Sequence, residues 1–227
     1  MSLHHRQLAS HLSYKSALVL LCPTAIAPPI ESIRSVNDKN FARWPPHINL
    51  IYPFLANPSE ITLSDDVHPH ATHSIRRLLK ADINLRIRKV LSQHSPFDVT
   101  LEADAKNVFS HSKKSKTVWL APQCDYNSLK DLQSALQMEF SECSADSRPF
   151  TPHLSVGQSN SDHDALQLHE DLAKQIIEFT ADQNLGKDDI GTPSLHWHID
   201  AVFVIERHGF HGRFNVVSTV PLGNRNE

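Results

Sequence analysis

Residues 44–54 read WPPHINLIYPF, two prolines and a histidine leading into a short apolar run. Strand side chains alternate, so a strand here puts His47 and Asn49 on one face and Ile48 and Leu50 on the other. A segment built for burial with two polar residues on one face is either a site or a packing detail. One copy does not decide between them. A second copy stands at 150–158, FTPHLSVGQ, where Pro152-His153-Leu154-Ser155 repeats the order of Pro46-His47-Ile48-Asn49, with the histidines 106 residues apart.

Each copy closes a similar stretch of chain. Residues 16–22, SALVLLC, form a continuous apolar run that fits a buried strand. TAIAPPIESIRSVND then holds a helix, with Pro28 and Pro29 in its first turn and Ile30, Ile33 and Val36 at three-residue steps. The second copy follows KTVWLAP and a helix over 126–143 whose Leu129, Leu132, Leu136, Phe140 and Cys143 recur at three- and four-residue steps. The pattern is a duplicated β-α-β unit, each copy ending in a His-x-polar strand. It predicts an α+β fold in which two lobes, each with an antiparallel-rich sheet, face a central cleft and contribute one histidine and one hydrogen-bonding partner apiece.

Between and after the copies the pattern is coarser. Residues 57–73 read as a loop, followed by a basic amphipathic helix over 74–93 in which Arg76, Arg77, Lys80, Arg86, Arg88 and Lys89 face only Asp82. Phe97, Val99 and Leu101 alternate as a half-buried strand, and Lys113, Lys114 and Lys116 read as a turn before the strand at 116–121. A last helix spans 163–183, and LHWHIDAVFVIER pairs with RFNVVSTVPL across HGFHG. The whole chain, 1–227, is expected to form one bilobal domain with 1–14 and 223–227 loose.

Composition narrows the function classes. At 227 residues and 40% hydrophobic content the chain can bury a sizeable core, and no apolar run is long enough to span a bilayer. No secretion signal is read in the N-terminal residues. A net charge of −3 argues against a protein that coats long nucleic acid, so a nucleic-acid partner is small or gripped locally. Cys22, Cys124 and Cys143 lack CxxC spacing, which fits a reducing compartment, cytoplasm or nucleus. Sixteen histidines invite a metal reading. The pairs His68/His70, His196/His198 and His208/His211 nevertheless complete no familiar ligand pattern, although His196 and His198 on a strand would share a face. No metal and no cofactor is expected.

The two proline-led His-x-polar tetrads, the SKTVWL strand and the FTPHLSVGQ segment resemble the 2H phosphoesterase superfamily, which includes 2′-5′ RNA ligase-like proteins and cyclic nucleotide phosphodiesterases. The likeness runs from about residue 15 to 222. HLS at 153–155 fits the family's His-x-Thr/Ser pattern, while HIN at 47–49 carries asparagine where the family has threonine or serine. The resemblance implies His47 and His153 as catalytic acid and base, and Asn49 and Ser155 as donors to the substrate phosphate. It implies a metal-independent phosphoesterase acting on a 2′,3′-cyclic phosphate or a 2′-5′ or 3′-5′ linkage at a nucleotide or RNA 3′-end, with reverse 2′-5′ ligation open to the same chemistry. Two imidazoles with ordinary pKa near 6.5 can take a proton from the nucleophile and return one to the leaving oxygen. His153 is assigned here as base and His47 as acid, a choice the resemblance does not dictate. The competing expectation is a non-catalytic nucleotide- or RNA-end-binding module of the same fold. Trp44, Tyr52 and Phe150 flank the motifs as core or cleft wall, and Arg43 and Arg148 stand four and five residues before the histidines, in reach of a cleft rim. No obligatory protein partner and no membrane association are inferred.

Overall fold

The computed structural model describes residues 8–63, 75–144, 148–182, 192–209 and 211–223. In chain order the first half contains β1 (Leu12–Ser13), β2 (Ser16–Leu21), α1 (Ala27–Asn37), β3 (His47–Ile51) and β4 (Phe54–Leu55), then the ribbon β5 (Ser59–Leu63) and β6 (Ile75–Leu79). The middle carries α2 (Ala81–Leu91), β7 (Phe97–Glu102), β8 (Val108–Ser112), β9 (Ser115–Gln123) and α3 (Ser128–Glu139). The chain closes with β10 (Leu154–Ser159), α4 (Asp162–Asp182), β11 (Ser194–Ile199), β12 (Ala201–Arg207) and β13 (Phe214–Pro221).

The α+β duplication holds. One half is the antiparallel set β13-β12-β2-β3 and the other is β10-β9-β7-β11, with β8 on the side of β9. The halves are also hydrogen-bonded to each other, because β3 and β10 pair antiparallel at Ile48 and Leu154. A second junction forces the combined sheet to curl. Only Asp200 separates β11, at one end of the strand order, from β12, next to last at the other. One residue spans less than 4 Å, so the ends of the sheet must come round toward each other. The backbone amide of Leu222 closes this corner by donating to Asp200 O at 2.8 Å. The stretch 195–207, continuous in sequence, is thus two strands serving different halves. Among the described residues no helix is long and apolar enough to cross a membrane.

The core follows the periodicities. Ile30 and Ile33 of α1, Leu129, Leu132 and Leu136 of α3, and Leu168, Leu172 and Ile176 of α4 are buried in one cluster with Leu18, Leu20, Ile48, Leu120 and Leu154 of the central strands. Each fully buried aliphatic side chain of this kind contributes about 1.5–3 kcal/mol of transfer free energy. Gly157 is where helices meet the sheet most closely. A Cβ there would lie 2.7 Å from Leu168 Cδ1 and 2.9 Å from Asn37 Cβ, so any side chain would push α1 and α4 off β10.

Three local expectations need correction. The predicted helix over 74–93 begins only at Ala81, and residues 75–79 instead form β6 against β5, which occupies part of the predicted loop. Tertiary partners favour the strand, since Arg77 Nη1 lies 3.7 Å from Glu206 Oε2 and 3.3 Å from Ser59 Oγ. Lys116 is not a turn residue. It is 5% exposed on β9, with Nζ 2.7 Å from Asp162 Oδ1. Residues 8–14 are tied down rather than loose, since Leu12 and Ser13 pair with Leu55 and Phe54. Residues 1–7 and 224–227 lie outside the described residues.

Candidate active site

The chain enters β3 through Trp44-Pro45-Pro46, and two prolines leave the segment short of N–H donors while its carbonyls still need partners. Each carbonyl is satisfied. Trp44 O accepts from Arg34 Nη2 at 2.9 Å, Pro45 O from His47 Nδ1 at 2.8 Å, and Pro46 O from the Cys22 amide at 3.0 Å. A carbonyl can only accept, so Nδ1 of His47 carries the proton and Nε2 is left with its lone pair. His153 repeats the arrangement. Its Nδ1 donates to Thr151 O at 2.8 Å, again two residues back. Both histidines are therefore held as the same tautomer by the same local device.

The pairing of Ile48 with Leu154 sets where the four motif residues stand. In an antiparallel pair the flanking residues cross over, so His47 is level with Ser155 and Asn49 with His153, on the face opposite Ile48 and Leu154. Cβ atoms of such neighbours are about 4.5–5.5 Å apart. Four residues separated by a hundred positions in sequence thus form one cluster where the halves join. The fields of the two imidazoles reach each other, since His153 is among the groups that lower the affinity of His47 for a proton.

The two imidazoles have different walls. The Trp44 indole lies parallel on His47, with ring centroids 4.5 Å apart and planes 13° apart, and is itself packed on Phe214 at 3.8 Å and edge-on to Tyr52 at 5.3 Å. His153 meets the edge of Phe109 at 4.9 Å and Trp119 at 6.0 Å. Contacts of this kind add about 0.5–1.5 kcal/mol each between aromatic rings. Burial pushes the pKa of His47 down to about 4, with Arg34 and His153 lowering it further and the Pro45 bond and Asp38 opposing them. Burial also lowers His153, against the Thr151 bond. Both rings are thus favoured as neutral near pH 7, His47 the more firmly so.

A cavity of about 750 Å³ opens beside the cluster, lined by Asn49 and His153 together with Tyr52, Phe109, His111, Gln133, Arg148 and Phe150 among others. Neither His47 nor Ser155 is among its lining residues, so the cavity is reached from the Asn49–His153 side of the cluster. Asn49 turns its Oδ1 inward, where that atom is buried and accepts no hydrogen bond among the described residues. Of the two arginines near the motifs, Arg148 lines the cavity. Arg43 does not, and its guanidinium is bonded to Asn40 Oδ1. Cys143 also reaches the cavity wall, but burial and Glu142 push its thiol up to about 12, which keeps it protonated and a poor nucleophile.

Sequence reasoning placed the four motif residues and missed what surrounds them. Phe109, His111 and Gln133 come from elements with no motif, and Arg34 lies on a helix read only for its apolar steps. The only signal for Arg34 was its spacing, four residues after the apolar Ile30, which puts it on the inward face of α1. For the metal reading, His196 and His198 do share an exposed face of β11. They are engaged by Thr100 at 3.3 Å and Asp98 at 2.8 Å, and among the described residues no group of three His, Cys, Asp or Glu is placed to hold a metal. His68 and His70 lie outside the described residues.

Two His-x-polar strands joined at the centre of a duplicated, curled antiparallel sheet define a protein of the 2H phosphoesterase type. The family model described as the 2′-5′ RNA ligase superfamily matches residues 22–209, and the chain belongs to that superfamily. Among solved structures, apo LigT of E. coli is similar over 95% of this chain and 100% of its own, at 14% identity and a TM-score of 0.51, and shares the fold. LigT complexed with 3′-AMP is 14% identical over 93% of this chain and 99% of its own, with a TM-score of 0.49. A phosphoesterase is 12% identical over 93% and 100%, with a TM-score of 0.46. Comparison with curated proteins returned no match.

Proposed function

We propose that the protein is a metal-independent phosphoesterase that opens a 2′,3′-cyclic phosphate, or cleaves a 2′-5′ or 3′-5′ linkage, at a nucleotide or RNA 3′-end, with His47 and His153 as the acid-base pair. The observation that carries the reading is the pairing of Ile48 with Leu154, which brings two identically held imidazoles, each with Nε2 free of the backbone bond, onto one face. Phosphorus bound between them is reached from opposite sides by a base and an acid, as in-line displacement requires. The Asn49 amide and Ser155 hydroxyl, level with the opposite histidines, donate to non-bridging phosphate oxygens and stabilise charge as it develops. The inward turn of Asn49 Oδ1 suits this role, because it leaves the NH₂ group for the substrate.

The unequal settings favour His47 as base and His153 as acid, the reverse of the assignment made from sequence. A general base must be neutral when substrate arrives, and His47 is the ring more strongly held neutral. A bound phosphate anion raises both affinities for protons, and the less depressed His153 is the one that charges. The superfamily's name points to RNA ends, which fits a nucleotide substrate here.

The test is incubation with 2′,3′-cyclic mononucleotides and short RNAs ending in a cyclic phosphate, with EDTA present, followed by identification of the oxygen that keeps the phosphate. Turnover that disappears in both His47→Ala and His153→Ala supports the proposal. Binding without turnover in the unmodified chain would leave only a nucleotide-binding module.

A further inference from the structure

Beneath the first histidine lies a buried charge that the second lacks. Arg34 of α1 is 2% exposed. Its Nε and Nη2 donate to Asp38 Oδ2 at 2.9 and 2.7 Å, and Nη2 also donates to Trp44 O at 2.9 Å, while Nη1 is buried with no hydrogen-bond partner among the described residues. Asp38 is held in its turn. Its Oδ1 accepts from the Asn40 amide at 2.8 Å and from Gln158 Nε2 at 3.1 Å, which ties the end of α1 to β10, the strand of the other histidine. From Trp44 the connection to His47 is short: the indole lies on the imidazole, and the next carbonyl takes its Nδ1 proton.

The second half is built differently. The corresponding helix of the second half, α3, buries only Leu129, Leu132 and Leu136 and is capped by Phe140, which is fully buried and apolar. The cation nearest that ring, Arg86, sits over its face at 4.1 Å and spends its donors on Glu139 and Glu142 at the surface. The groups whose fields act on His47 are Arg34 and Asp38 from α1 and its C-terminal cap, and His153 from the residue before β10. None of the groups shifting His153 is a buried cation. A guanidinium with an unbonded edge disfavours a second positive charge nearby, and low effective dielectric lengthens its reach.

Building on the two-histidine reading, we propose that Arg34, oriented by Asp38, is a positioning residue that holds Trp44 and Pro45 against His47 and sets the surroundings of that imidazole apart from those of His153, beneath which no such arginine is bonded among the described residues. Arg34 touches neither substrate nor the reacting atoms. It acts through Trp44 and through its field.

The test uses the full chain labelled in its histidines, with the His47 and His153 rings followed by NMR across pH in the absence of substrate. Arg34→Met is expected to raise the His47 midpoint by about one pH unit while moving His153 less. Arg34→Lys, which keeps the charge, should leave His47 near its original midpoint, and Asp38→Asn, which strips the counter-charge, should lower it. The low-pH limb of kcat/KM on a 2′,3′-cyclic nucleotide should move with the His47 midpoint in each variant. Opposite displacements in Arg34→Met and Asp38→Asn are not produced by a merely structural role. An unchanged His47 midpoint in folded Arg34→Met, or a kinetic limb that follows His153 instead, overturns the proposal. Should Arg34→Met fail to fold, Asp38→Asn decides: a lowered midpoint supports it and an unmoved one overturns it. Absence of turnover in every variant would sink the phosphoesterase reading while leaving the NMR result to judge the coupling.

Discussion

The two halves of the molecule carry the same motif in different surroundings. In both, a proline-led strand presents a histidine whose Nδ1 is bonded to the carbonyl two residues back, at 2.8 Å in each case. Around that shared unit the first half places a parallel indole and a buried arginine, and the second half places the ring edges of Phe109 and Trp119. Duplication supplied two equivalent imidazoles; divergence of their walls made them inequivalent. In the proposed acid-base pair, surroundings that push the two proton affinities apart assign the roles.

The comparison breaks most sharply at the histidines. His47→Ala and His153→Ala should each reduce kcat on a 2′,3′-cyclic nucleotide by about 10²–10⁴-fold, measured by product formation. Substantial activity in either variant removes that half from the mechanism.

Two buried side chains come next. Phe140→Ala should destabilise the chain by about 3–5 kcal/mol in denaturant unfolding, through the cavity left against Phe54 and Arg86. Arg34→Ala should cost a similar amount by leaving Asp38 buried without its charge partner. The two losses then differ in kind, since only Arg34→Ala changes the His47 titration.

Asn49 and Ser155 test the pairing of donors. Asn49→Ala should lower kcat/KM by about tenfold, the worth of one hydrogen bond to a charged group, while Asn49→Thr should stay within a few-fold of the unmodified chain. Equal losses in both would mean that the amide does more than donate.

The most gradual effect is on stability against pH. The folded chain holds His47 at about 4 against an ordinary value of 6.5, so the unfolded chain binds more protons as pH falls between those values. Stability in denaturant should therefore be full above about 6.5, decline as pH falls, and lose the contribution of His47 by about 4. His47→Gln should flatten that part of the curve, and His153→Gln should flatten it less.

Much of this was legible in one dimension. The alternation in HINLI and the three- and four-residue steps in α1, α3 and α4 place the core, because burial of apolar surface acts on faces that sequence period defines. The repeated Pro-His-x-polar order placed all four motif residues. Other parts depended on partners distant in sequence. β5 and β6 exist as a ribbon through their mutual pairing and Arg77's contacts with Glu206 and Ser59, while a run of leucines and arginines read locally suits a helix equally well. The split of 195–207 at Asp200 leaves only a faint local trace, the alternation of LHWHID giving way to the continuous apolar run AVFVI.

The sequence by itself determined that there are two proline-led His-x-polar segments and which residues they present, since strand period, the missing amides of the prolines and the repeat are local facts. Only the tertiary structure decided that Ile48 pairs with Leu154, that His47 stands level with Ser155, and that Arg34 lies buried against the carbonyl of Trp44. Register between strands a hundred residues apart is set by the packing of whole faces, and the field at an imidazole by charges that chain order does not bring near. The assignment of acid and base turns on those two quantities.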